Sequence, residues 1–402
     1  MDPVANPFAP GAGNPPPELA GRHDLREGVR IALARMRRGL HAKSILMIGL
    51  RGVGKTVLLD RMRDDAEATG IHTLRIEAPE GRSLPAILAP ELRQALLRLS
   101  LQERATSASK RALRALAGFA RSLKVTYNDI EVGFDQEPEP GLADNGDLEH
   151  DLKALLEVSG SAAHSAETAL AIFVDELQYV REGELSALIT ALHHCAQRQL
   201  PVMLIGAGLP QLRGRMGRAK SYAERLFDFP VIGPLPPEDV RSAIVKPAAA
   251  QGVAVTDEAV GLIAAQTGGY PYFVQEWGKH AWQVAARSPI TAQDVTTAHP
   301  LVIAALDKSF FLVRFDRSTP VEKVYLRAMS ELGAGPHRSG DIARVLGREV
   351  TSLGPVRNKL ITKGMIWSPS HGDTAFTVPL FDAFMKRMMP GDSWRAPSGD
   401  EA

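Results

Sequence analysis

Residues 44–62 read SILMIGLRGVGKTVLLDRM: an apolar run, a glycine-rich break carrying Lys and Thr, and a second apolar run. Glycine loses more freedom on ordering than any other residue and packs nothing, so this loop is expected to be shaped around something else. The spacing Gly49, Gly54, Lys55, Thr56 fits G-x-x-x-x-G-K-[ST], a phosphate-binding loop. In that pattern the backbone of Gly49, Arg51, Gly52, Val53, Gly54 and Val57 wraps a polyphosphate. The helix N-terminus that follows adds positive potential. Lys55 is expected to reach the terminal phosphates, and the Thr56 hydroxyl to take one corner of a Mg²⁺ shell.

The chain of 402 residues is long enough for two or three domains. A hydrophobic content of 45% with 23% charged residues is that of a soluble globular protein. The net charge of +1 gives no global attraction to nucleic acid or membrane, so any basic surface must be local. One cysteine, Cys195, forbids an intrachain disulfide and fits a reducing cytoplasm. No apolar run approaches the ~20 residues that span a bilayer, and the opening stretch lacks a signal-peptide pattern. Its Pro and Gly predict an extended arm over residues 1–18, ordered only if it docks on the domain behind it.

Apolar periodicity predicts a helix over 24–40 capped by Asp24, then a strand at SILMIGL, a helix after the loop, and a second strand over 71–78. Another helix follows from Ser83. Within 105–150 the chain offers a basic amphipathic stretch, SKRALRALAGFARSLK, a hairpin-like VTYNDIEVGF, and an acidic linker, DQEPEPGLADNGDLEHD. The basic stretch reads either as a solvated helix face or as a binding surface. Strands are further expected over 169–180, 201–208 and 227–235, each separated by a helix. That alternation predicts a three-layer αβα core with a parallel sheet and ligands at the carboxyl ends of its strands. From Pro236 to about residue 315 the pattern is helical throughout.

ALAIFVDELQYV (169–180) places two acids, Asp175 and Glu176, at the end of a buried strand. Beside a phosphate loop the pair fills the two jobs hydrolysis needs. Asp175 would hold Mg²⁺ through its water shell, and Glu176 would orient and polarise the attacking water. The alternative is that the acids only cap the strand end. His193, His194 and Cys195 are consecutive on one predicted helix, so their side chains fan apart and do not form a metal site. Trp277 and Trp282 are expected to pack in a helical core.

Taken together these residues resemble the AAA+ and STAND group of P-loop ATPases, most closely the Orc1/Cdc6-like and archaeal-ATPase branches, from Leu19 to Met389. LAGRHDLREGV (19–29) is similar to the G-R-x-x-x-L box of those families, which implies that Gly21 and Arg22 lie near an adenine and that the nucleotide is ATP. TGGYPYFVQEW (267–277) looks like the family's G-x-P element, with Pro271 of a helical lid close to the nucleotide. PVMLIGAG is placed like the sensor-1 strand, yet it ends Gly206-Ala207-Gly208 without the usual polar side chain. No sensor-2 arginine occurs in GGYPYFVQEW. Both gaps imply slow hydrolysis, with the nucleotide acting as a switch. Arg225 in SYAERLF stands where the family carries an arginine finger acting on a neighbour's ATP, with Arg213, Arg215 and Arg218 competing for that role. The resemblance thus implies ATP and ADP as ligands, Mg²⁺ as cofactor, and a nucleotide-dependent homo-oligomer or protein partner.

Residues 321–389 predict helix, turn, helix, longer helix, a hairpin turning at His371-Gly372-Asp373, and a closing helix. This looks like a winged helix, giving a division into arm (1–18), core (19–235), lid (236–315), winged helix (316–390) and tail (391–402). Residues 321–387 hold ten Lys/Arg against six Asp/Glu, a local excess of four positive charges. Arg357, Lys359 and Lys363 on the third helix, with Arg338, Arg344 and Arg348 before it, are the candidates for double-stranded DNA. Winged helices also dock proteins or inhibit their own ATPase, and the wing WSPSHGDTAF has no basic residue. A STAND-like signalling ATPase with an autoinhibitory winged helix is therefore the alternative reading.

Overall fold

A computed structural model describes residues 1–11, 13–78, 81–124 and 137–395. The chain divides into two compact units, one formed by Arg22–Gly49 and Gly54–Ile232, the other by Met1–Gly21, Leu50–Val53 and Gly233–Ala402.

The first unit is α/β. Its elements are α1 (His23–Arg37), β1 (Ser44–Ile48), α2 (Lys55–Ala68), β2 (His72–Glu77), α3 (Leu84–Ser100), α4 (Thr106–Leu123) and α5 (Leu148–Ser165). They are followed by β3 (Leu170–Asp175), α6 (Glu182–Gln197), β4 (Val202–Gly208), α7 (Gln211–Ala219), α8 (Ala223–Leu226) and β5 (Phe227–Asp228). The strands form one parallel sheet in the order β2-β3-β4-β1-β5. All residues of β3 and β4 are buried, as near-continuous apolar strands covered on both faces must be. Ile48 pairs with Gly208, and Val174 with Gly206, so β1, β4 and β3 end at one edge of the sheet.

Two expectations are revised, and the two readings of the basic stretch are resolved. α1 begins at His23 with Arg22 at its cap position, and Asp24 lies in the first turn, where its charge favours the helix dipole without capping it. β5 pairs only over Phe227–Asp228 because Pro230 has no N–H for a ladder; a single bridge from Val231 to Ile48 continues the edge. The basic stretch is α4, whose apolar side (Leu113, Leu116, Phe119, Leu123) is buried in the core. On its other side Arg111 and Arg114 each lie 3.2 Å from Glu139, and Arg121 lies 3.1 Å from Glu137. The acidic linker thus folds back to neutralise the basic face. The hairpin-like VTYNDIEVGF lies outside the described residues.

The second unit contains α9 (Pro237–Ala250), α10 (Asp257–Thr267), α11 (Pro271–Val284), α12 (Ala292–Leu306), a π-helical turn (Asp307–Phe311) and α13 (Leu312–Asp316). Next come α14 (Pro320–Glu331), β6 (His337–Arg338), α15 (Ser339–Leu346), α16 (Val350–Thr362), β7 (Ile366–Trp367), β8 (Asp373–Phe376) and α17 (Phe381–Met388). The three short strands form an antiparallel sheet in the order β6-β8-β7. Trp277 and Trp282 are buried in the core of this unit. The amino-terminal arm docks along α11: Trp282 Nε1 donates to the Asp2 carbonyl (2.9 Å), Asn6 Nδ2 donates to the Lys279 carbonyl (3.1 Å), and the Phe8 ring is buried against Gly278. Among the described residues no helix is long and apolar enough to cross a membrane.

Candidate functional site

β1 delivers the chain into the glycine-rich loop, where the Gly49 N–H donates to the Gly208 carbonyl at 3.1 Å. Gly54 (φ +87°) stands at the cap position of α2 in the left-handed region, which only glycine enters without strain. Lys55, the first residue of α2, is 8% exposed, a degree of burial an ammonium tolerates only with anionic or polar partners. Thr56 and Val57 share that first turn and are half-buried. The turn carries no acid, so the positive end of the helix is uncompensated by its own side chains.

At the same edge β3 ends in Asp175, which is 3% exposed. Its Oδ1 accepts the Glu176 N–H at 2.9 Å, and its Oδ2 lies 3.6 Å from the Arg75 guanidinium. Arg75 in turn pairs with Asp60 of α2 at 2.5 Å and donates to the Ile76 carbonyl. Glu176 is half-buried and left-handed (φ +51°), an unusual backbone for a residue with a side chain. Its carboxylate accepts a hydrogen bond from Gln178 Nε2, while Gln178 Oε1 accepts the Leu209 N–H at 3.1 Å. Arg75 and Gln178 were missed by sequence reasoning. The available signals were an arginine inside the apolar strand HTLRIE and an amide two residues past the acid pair.

The glycines that end β4 are closely packed. A Cβ on Gly206 would lie 2.6 Å from Leu46 Cδ2, and one on Gly208 would lie 2.6 Å from Leu212 Cδ2 and 2.9 Å from Gln178 Oε1. Of the finger candidates, Arg215 is committed: it donates to the carbonyls of Gln178 and, at 2.7 Å, Val180, and burial holds its guanidinium below its ordinary value. Arg213 lies over the Phe229 ring at 5.7 Å. Arg218 and Arg225 are exposed.

In the second unit Gly21 (φ +69°) sits so close to α9 that a Cβ would lie 2.1 Å from Asp239 Oδ2. Arg22, which opens the other unit, is half-buried. In TGGYP, Gly269 (φ +74°) leaves no room for a side chain, since its Cβ would lie 2.1 Å from the Leu235 carbonyl oxygen. Pro271 then starts α11, where its missing N–H costs nothing. Arg51, Gly52 and Val53 belong to this unit: the Tyr272 N–H donates to the Gly52 carbonyl at 3.4 Å, Gly52 is left-handed (φ +80°), and Val53 is buried.

The six basic candidates near the carboxyl end divide sharply. Arg357 donates to Thr374 Oγ1 (2.9 Å), Ser368 Oγ (2.9 Å) and the Asp373 carbonyl (3.0 Å), pinning the hairpin. Lys363 is spent on Glu322 (2.7 Å) and the Arg317 carbonyl (2.9 Å). Arg338 and Arg344 pair with Asp373 and Asp341 yet stay largely exposed, and Arg348 and Lys359 are exposed. His193 lies against the Tyr222 ring in a tilted arrangement, His194 pairs with Glu157, and Cys195 is buried. Among the described residues no cluster of three or more His, Cys, Asp or Glu could hold a metal ion.

Residues 18–205 match the family described as "AAA ATPase domain". Over those residues the chain is similar to an AAA ATPase domain. Residues 308–385 match a second family, described as "Domain of unknown function (DUF8462)". No curated protein matches the chain in sequence. Among solved structures, the Walker-type ATPase PABY2304 of Pyrococcus abyssi is similar over 92% of this chain and 96% of its own, at 15% identity and a TM-score of 0.57. The Aeropyrum pernix Orc1 protein, solved in complex with DNA, is similar over 95% and 96% at 16% identity, with a TM-score of 0.48. The fold of the α/β unit is that of a P-loop NTPase, and the carboxyl-terminal region is largely helical.

The residues present fit a nucleotide with Mg²⁺. Positive-φ glycines, a buried Lys55 and an acid-free helix start suit phosphate, while a hydroxyl (Thr56) and a buried carboxylate (Asp175) are the hard oxygen donors that Mg²⁺ prefers.

Proposed function

We propose that the AAA ATPase domain binds ATP and Mg²⁺ at Gly49–Val57, hydrolyses the nucleotide slowly, and uses its state as a switch read out on double-stranded DNA by residues 316–390. The observation that carries this reading is the common sheet edge at which β1 enters the glycine loop and β3 releases Asp175 and Glu176. Gly21, Arg22 and Pro271 are assigned to the adenine side, Lys55 to the terminal phosphates, Thr56 and Asp175 to Mg²⁺. Mg²⁺ would supply charge neutralisation on the phosphates. Glu176 takes a proton from the attacking water as its oxygen bonds to the γ-phosphorus, and the electron pair of the broken P–O bond leaves with ADP. Slow turnover follows from a β4 end that has room for no polar side chain. Arg225, exposed on α8, is assigned as the finger for a neighbouring copy.

The division into core (19–235), lid (236–315) and winged helix (316–390) belongs to the same proposal. The helix order and the β6-β8-β7 sheet support a winged helix, with Arg338, Arg344, Arg348 and Lys359 offered to phosphate. The internal commitment of Arg357 and Lys363 favours the second reading, a STAND-like regulator in which this module meets protein partners and restrains the ATPase. ATP titration decides the first step. Lys55→Ala should abolish binding, whereas Glu176→Gln should retain it and stop turnover. Unchanged affinity in Lys55→Ala would misplace the site.

A further inference from the structure

We propose that Gln178 is the positioning residue for Glu176: its side-chain amide fixes the carboxylate that receives the proton of the attacking water, from the space a side chain at the end of β4 would otherwise fill. The inference rests on the ATPase reading above.

The amide can face only one way. The Leu209 N–H is a backbone donor, so the Gln178 atom it meets must be Oε1, and Nε2 is left to donate to Glu176. Gln178 is buried, and its carbonyl lies where a Cβ on residue 208 would approach to 2.9 Å. A Cβ at position 208 would therefore press on this amide. The backbone that follows the Gln178 side chain is held as well. Arg215 of α7 donates to the carbonyls of Gln178 and Val180, which fixes the turn against a helix outside it. Glu176 departs the strand with a left-handed backbone, and its flexible side chain takes its orientation from the Nε2 bond. A carboxylate that must meet one lone pair to one water loses rate steeply when its placement loosens.

The test is steady-state ATP hydrolysis by the full chain, with nucleotide affinity measured in parallel by fluorescent ATP titration. Gln178→Ala should lower kcat by about ten- to a hundredfold while leaving KM and nucleotide affinity unchanged. Gln178→Glu keeps an acceptor for the Leu209 N–H but loses the donor to Glu176, so it should lower kcat about as far as Gln178→Ala, again with nucleotide affinity unchanged. A merely structural role, met by the retained acceptor, would leave Gln178→Glu near wild type. Hydrolysis that Glu176→Gln abolishes but Gln178→Ala or Gln178→Glu leaves within twofold of wild type overturns the positioning role alone. Hydrolysis indifferent to Glu176→Gln overturns the site reading and Gln178 with it.

Discussion

The docked arm offers a sharp test of packing, because the same substitution should change sign with its background. Gly278 lies inside α11, and a Cβ there would approach Phe8 Cδ1 to 2.7 Å and Cγ and Cε1 to 2.9 Å. Phe8 is 4% exposed, so Gly278→Ala must evict a buried ring. Eviction forfeits about 1.5–3 kcal/mol of apolar burial. Alanine in a helix interior returns about 0.5–1 kcal/mol relative to glycine. Gly278→Ala alone should therefore destabilise by about 1–2 kcal/mol, whereas in Phe8→Ala, where the seat is vacant, it should stabilise by about 0.5–1 kcal/mol, net of the terms above. All four tryptophans of the sequence (277, 282, 367 and 394) lie in the second unit, so a urea titration followed by tryptophan emission reads that unit alone. Destabilisation of equal size in both backgrounds would refute the packing assigned to Phe8.

Three further outcomes follow. Arg357→Ala removes three donated hydrogen bonds that pin the β7–β8 hairpin and should cost about 1.5–3 kcal/mol by urea titration. Lys359→Ala should stay within about 0.5 kcal/mol and instead weaken duplex binding in a salt-dependent fluorescence anisotropy assay. Burial, and then the Arg98 guanidinium, hold His72 below the ordinary imidazole value of 6.5. The unfolded chain therefore binds a proton that the folded chain refuses, and the stability of the α/β unit should fall as pH drops below 6.5. His72→Gln should lose less stability between neutral and mildly acidic pH in denaturation followed by circular dichroism.

The sheet and the glycine-rich loop were legible because their signals are local. Glycine spacing fixes the loop around Gly49–Thr56, and IFVDE can only be a buried strand ending in acids. What stayed hidden depends on partners remote in sequence. Arg357 and Lys363 read as free cations in a basic module, yet Thr374 and Glu322 claim them across turns and helices. Arg121 and Glu137 look like separate blocks of opposite charge until the linker lays one on the other. Gly208 reads as a missing polar group until Gln178 is seen in its place. Asp24 has the right chemistry for a cap, but Arg22 occupies that position, one residue before the helix begins at His23.

Cys195 has a practical consequence. It is the sole cysteine of the chain, buried on α6, and burial followed by the nearby Glu157 carboxylate pushes its thiol up to about 12. Near pH 7.5 only about three thiols in a hundred thousand are ionised, and the thiolate is the form that alkylates. Maleimide dyes will pass over the native residue. A cysteine introduced at Arg225 or Lys359 can then carry a fluorophore alone, so the proposed contacts with a neighbouring copy and with duplex can each be tested by a single reporter on an otherwise unaltered molecule.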